Sequence, residues 1–237
     1  MKMKPITIVK IAIDLAMTVL FLLLMEYHLL SDAPHEWIGA SVFLLFLGHN
    51  VLNYRWYKNL FKGKYTATRI LQTTVNFLLW IAMLGCIVSA MCISGHVFAF
   101  MNIGAARFGR TLHLAATVWA FLLMSFHLGL HFQMFIGMAR NILKPGDTAR
   151  VVLKWIGRAV VLGISAFAVY VFIQRTMWEE MFLLTEFKWY DYEKTILGYF
   201  FESAAIMVSF AAVGYYLKLV LQKMSSKSKK RARANSN

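Results

Sequence analysis

The stretch TLHLAATVWAFLLMSFHLGLHFQMFIGM, residues 111–138, decides the fold. Its twenty-eight residues include no Asp, Glu, Lys or Arg. At about 1.5 Å per residue, a helix of this length exceeds the roughly 30 Å hydrocarbon core of a bilayer. Three histidines interrupt it: His113, His127 and His131. Ionisable side chains are costly inside a membrane and usually mark function there. Residues 35–54, HEWIGASVFLLFLGHNVLNY, repeat the pattern with His35 and His49. In each stretch the first two histidines are fourteen residues apart. Fourteen helical steps advance a side chain about 21 Å and return it to within about 40° of its starting face. Each helix therefore presents one imidazole toward each membrane surface, on one face.

Four more apolar runs flank these two, at 5–30, 69–93, 151–174 and 195–221. With 237 residues, 59% of them hydrophobic, the chain reads as an all-α polytopic bundle of six transmembrane helices. Residues 1–224 form one membrane domain, and 225–237 a basic tail expected to be disordered. The first run is too long for the apolar region of a cleavable signal and reads as a retained helix.

The net charge of +14 is unevenly placed. Lys2, Lys4 and Lys10 lie at the start, Arg55 to Arg69 between spans two and three, and Arg140 to Arg158 between spans four and five. A further group, Lys227 to Arg233, ends the chain. The alternate connections hold few cations and most of the acids, among them Asp32, Glu36, Glu179, Glu180 and Glu186. Positive residues gather on the cytoplasmic side, so both termini are expected inside the cell membrane. The tail then touches anionic lipid, and nucleic acid is not an expected partner. Cys86 and Cys92, six residues apart, point to different faces and suit neither a disulfide nor a zinc or iron–sulfur site. The absence of a CxxCH motif excludes covalent c-type haem attachment.

With both termini inside, spans two and four run in the same direction. His35 then meets His113 near the outer surface, and His49 meets His127 near the inner one. Two imidazoles on one iron give a six-coordinate b-type haem suited to electron transfer. Two haems within a four-helix core are therefore expected. The alternatives are a single haem, or histidines scattered in the bundle without any. His131 lies one turn beyond His127, so either could meet His49. His127 keeps the matched spacing, which leaves His131 to contact a haem propionate or a quinone. His28 is placed as a donor at the outer site or as a substitute for His35, and His96 as a surface loop residue. Arg55 and Arg110 lie near the inner and outer ends, where they would pair with propionates; topology alone would also account for Arg55. Asp14, a lone acid in span one, would pass protons to a quinone or serve a structural pair. Gly39, Gly48, Ala115, Ala116 and Gly129 leave room for a macrocycle or for a close helix.

These residues sit in four patterns: MEYHLLSDAPHEWIG (25–39), LFLGHNVLNYRWYKNLFKGKY (45–65), LHLAATVWAFLLMSFHLGLHF (112–132), and GYFFESAAIM with GYYLK (198–207 and 214–218). On these patterns the chain resembles, over nearly its whole length, the flavinylation-associated cytochrome family of six-helix prokaryotic membrane proteins. The resemblance implies b-type haem. It also implies electron passage from the cytoplasmic side or quinol pool to an extracytoplasmic partner carrying covalent FMN. His35, His49, His113, His127 and His131 fall on the family's histidine positions, and His28 on a further one. No flavin-attachment domain is present here, so the FMN would sit on another polypeptide. The expected function is transmembrane electron transfer. The competing readings are a quinol-oxidising subunit of an oxidoreductase complex and a haem or metal transporter.

Overall fold

The computed structural model describes residues 4–27, 30–185 and 195–234, and these are helical with no strand among them. Eight helices follow in order: α1 (Pro5–Leu24), α2 (Asp32–Leu52), α3 (Tyr54–Lys58), α4 (Ala67–Ile93), α5 (Ala106–Leu143), α6 (Asp147–Gln174), α7 (Met177–Met181) and α8 (Ile196–Ala234). Five of them, α1, α4, α5, α6 and α8, are long and apolar enough to cross a membrane. α2 has 21 residues but is more polar, since it carries Asp32, His35, Glu36, His49 and Asn50.

The ends follow local chemistry. Pro5 opens α1, where its missing N–H is no loss. The Thr66 hydroxyl accepts the Arg69 N–H and caps α4. α2 begins three residues before His35, so Asp32 is not its cap but its first helical residue, an acid placed at the positive end of the helix dipole. Between α3 and α4 the Arg69 guanidinium donates to the Lys62 carbonyl at 2.5 Å and the Leu60 carbonyl at 3.2 Å, and lies over the Tyr65 ring. α8 runs on to Ala234, through the basic tail that the sequence alone assigns to disorder. Its Lys, Arg and Ala residues are good helix formers.

α5 is the central helix, with α4 and α8 packed along it. In lipid, water gives little force for joining helices, and close approach depends on small residues. Gly85 faces the Ala116 methyl, and Gly109 faces Cys92 and Ile93 of α4. Gly129 lies against the Ala211 backbone, and Gly214 against the Phe126 carbonyl. α6 packs outside α8, whereas α2 packs mainly on α1. A buried belt of Val118, Ala120, Phe121 and Leu122 on α5 fills the middle, with Phe21 of α1 stacked on Phe121 at 6.5 Å. α7 buries Met177 and Glu180 and leaves Trp178 exposed, and Trp119 Nε1 of α5 donates to the Met181 carbonyl at 3.0 Å. Residues 186–194 lie outside the described residues.

Candidate functional site

α2 and α5 are not closely packed on each other, yet their histidines face across the gap. The His35 and His113 rings lie 6.3 Å apart, centre to centre, at 71°. They line a cavity of about 710 Å³ together with Gly39, Phe43, Leu114, Thr117, Arg110 and Glu180. That volume falls within the roughly 300–1,000 Å³ usual for cofactor and ligand sites. Gly39 meets nothing where a side chain would stand, and Gly48 is equally open. At the other end His49 lies within electrostatic range of both His127 and His131. The His127 and His131 rings are tilted on one another at 4.7 Å.

The neighbouring helices fix which nitrogen of each ring is free. Ser89 on α4 donates its hydroxyl proton to the Cys86 carbonyl at 2.8 Å, so its oxygen accepts the His113 Nδ1 proton at 2.9 Å. Asn76 Oδ1, thirteen residues earlier on the same helix, can only accept, and it takes the His127 Nδ1 proton at 2.8 Å. On α1 the Asp14 carboxylate accepts from His49 Nδ1 at 2.6 Å. Three imidazoles are therefore held through Nδ1 and present Nε2, the arrangement by which proteins orient metal-bound histidines. His49 Nε2 has one competing contact, the Asn53 amide at 3.4 Å, which is long and is shared with the His49 carbonyl at 2.9 Å. His35 Nδ1 is buried without a hydrogen-bond partner among the described residues, and the Tyr27 ring stands edge-on to it at 5.0 Å.

Glu36 roofs this cavity. Its carboxylate accepts from the Ser94 hydroxyl at 2.6 Å and from the Gly95, His96 and Val97 amides at 2.8, 2.9 and 2.8 Å. This fastens the start of α2 to the segment joining α4 and α5. His96 is exposed in this loop, as the sequence suggests, and borders the cavity. Arg110 is an exposed residue on the cavity rim, whereas Arg55 is exposed on α3 with no contact to the histidines among the described residues. His28 lies outside the described residues.

No family model matches the chain, and no curated protein or solved structure is significantly similar to it. The geometry therefore carries the argument. Among the described residues no three of His, Cys, Asp and Glu gather as a site for a bare metal ion. His35 and His113 stand as a facing pair instead, and a haem takes two ligands from the protein, its porphyrin supplying the other four. A metal–imidazole bond is about 2 Å and the ring centre lies about 1 Å behind its nitrogen, which puts two rings sharing one iron about 6 Å apart. The His35–His113 separation matches.

Sequence reasoning missed Asn76 and Ser89. Their spacing is the only signal: two polar residues thirteen apart in an apolar helix antiparallel to α5, against fourteen between His113 and His127. It also missed a buried ion cluster beside the cavity. Arg175 donates to Glu202 at 2.9 Å, to the Ser203 hydroxyl at 2.9 Å and to the Tyr199 carbonyl at 3.1 Å. Arg175 also lies 3.6 Å from Glu26, to which Ser203 donates in turn. Glu26 and Glu202 are almost fully buried, so their charges need these partners. Arg175, placed by charge counting among the external loop residues, is a structural tie between α1, α6 and α8.

Gly39 gives a direct test of the cavity. Phenylalanine there should fill the space beside His35, so the expected result is a folded protein whose cavity no longer retains a haem-sized cofactor. Haem-to-protein ratio and thermal unfolding in detergent measure the two effects.

Proposed function

We propose that the chain is a di-haem b-type membrane cytochrome in which His35 with His113, and His49 with His127, hold one haem each. The observation that carries this reading is the facing of His35 and His113 at 6.3 Å across a cofactor-sized cavity. When bound, each haem supplies a one-electron iron couple. The chain's own residues do the rest. α2 and α5 supply ligands from two sides, while Ser89, Asn76 and Asp14 hold Nδ1 of three rings and so aim Nε2. With two imidazoles holding each haem, no place would be left for oxygen, which would favour electron transfer over oxygen chemistry. Arg110 on the rim is placed to pair with an outer propionate.

On this reading α2 is a sixth membrane span, its polar residues turned to the sites rather than to lipid. α1, α2, α4 and α5 form the four-helix core, two helices giving ligands and two giving the groups that orient them. The distribution of Lys and Arg puts both termini in the cytoplasm. The His35 pair then lies at the outer surface and the His49 pair at the inner. Electrons would pass from the cytoplasmic side or quinol pool to an external FMN-bearing partner, as the resemblance to flavinylation-associated cytochromes suggests. A second reading, oxidation of quinol at the inner end, is favoured by one feature. His131 lies against His127, in the electrostatic range of Asp14 and of Lys218, whose ammonium donates to the Leu130 carbonyl.

The test is a reduced-minus-oxidised absorption spectrum of the purified protein. Sharp low-spin b-type bands, fully reducible and resistant to exchange, are expected. Weak, exchangeable haem without such bands would indicate transport instead. Haem reduction by added quinol would separate the second reading from a conduit fed by another protein.

A further inference from the structure

The four imidazoles have unequal environments at Nδ1. His127 is tied to a neutral amide at 2.8 Å and His113 to a neutral hydroxyl at 2.9 Å. His35 has no partner among the described residues. His49 alone is tied to a carboxylate, that of Asp14, and its contact is the shortest of the three at 2.6 Å. Hydrogen bonds to an ionised acceptor are shorter and roughly twice as strong as neutral ones.

The pairing is built rather than incidental. Lys10 on α1 donates to Asn53 Oδ1 on α2 at 2.9 Å. Lys10 and Asp14 are four residues apart, as are His49 and Asn53. α1 and α2 are thus joined by two rungs one helical turn apart, which set the height of Asp14 against His49. Lys10 is engaged by the Asn53 amide, and among the described residues no lysine or arginine is ion-paired with Asp14.

We propose that Asp14 sets the reduction potential at the inner level, by making His49 the most electron-releasing of the four ligands. The proposal rests on the di-haem reading. An acceptor on the distal ring nitrogen raises ligand basicity, and a charged acceptor raises it more. A more basic axial ligand favours ferric over ferrous iron and lowers the potential. Asp14 touches the ligand and not the iron, so it is a positioning and tuning residue.

The experiment is a potentiometric titration of the haem-loaded full chain at fixed pH, read from the visible bands. His113→Ala, which leaves the inner site, identifies the inner wave. Asp14→Asn should move that wave to higher potential and leave the other in place. Asp14→Glu, which keeps the charge, should bring it back toward wild type. Ser89→Ala, which removes a neutral partner, should move only the outer wave, and by less. If Asp14→Asn does not accumulate, Asp14→Ser, which also removes the carboxylate, must still raise the inner wave alone. An inner wave that stays put or falls, or two waves that shift together, would overturn the proposal while leaving two haems in place. A wild-type protein with fewer than two haems would overturn the reading beneath it, and the proposal with it.

Discussion

Replacing His113 with alanine is expected to remove about half of the haem from the purified protein and to spare the inner level. His113 faces His35 at 6.3 Å, whereas His49, His127 and His131 gather elsewhere on the same two helices. On the di-haem reading, loss of one ligand would open one iron and leave the other clasped. His35→Ala should give the same spectrum, because it removes the opposite half of the same pair. His49→Ala should remove the complementary half. His127→Ala should match His49→Ala; a normal spectrum there, with loss in His131→Ala, would transfer the inner role to His131. The measurement is haem quantitation beside the reduced-minus-oxidised spectrum. Equal loss of both haems from the His113 variant would mean that the two levels are not independent sites.

Gly129→Ala is expected to be the most damaging small substitution in the chain. A methyl group there would stand 1.9 Å from the Ala211 carbonyl oxygen and 2.7 Å from its carbon. Those atoms are backbone, so no rotamer change relieves the clash and α5 must separate from α8. Overpacking typically costs about 1–3 kcal/mol, and a backbone collision belongs at or above the top of that range. The separation would also disturb His127 and His131, which flank Gly129 on the same helix. Gly137→Ala on α5 is the control, since nothing lies within 4 Å of that position. It should be neutral or stabilising, because alanine is the better helix former by about 1 kcal/mol. Denaturant titration in detergent micelles compares the two. Equal stabilities would show that the α5–α8 contact relaxes freely.

These two residues also show what could be read from the chain itself. The meaning of the fourteen-residue histidine spacing follows from helix geometry, and the apolar runs locate the long helices to within about six residues at every end except that of α8, which runs on to Ala234. Gly129 was ambiguous, because a small residue serves equally well beside a macrocycle or beside another helix. The structure resolves it toward helix packing, and resolves Gly39 toward open space. The groups that hold the rings were not legible. Asn76 follows Gln72, Thr73 and Thr74 on α4 and Ser89 stands among apolar residues, so their meaning depends on how α4 lies along α5. Asp14 stood out as a membrane acid, but its partner is 35 residues away. The tie between Glu26, Ser203 and Arg175 joins residues up to 177 positions apart, a separation that no local pattern encodes.

The central claim is that two imidazole pairs at two levels each clasp one iron. The most direct measurement is the number of non-covalent haem b groups per polypeptide, obtained by extraction and pyridine haemochrome assay against amino-acid analysis. The account predicts two. A value of one, or a colourless protein that folds normally, would contradict it.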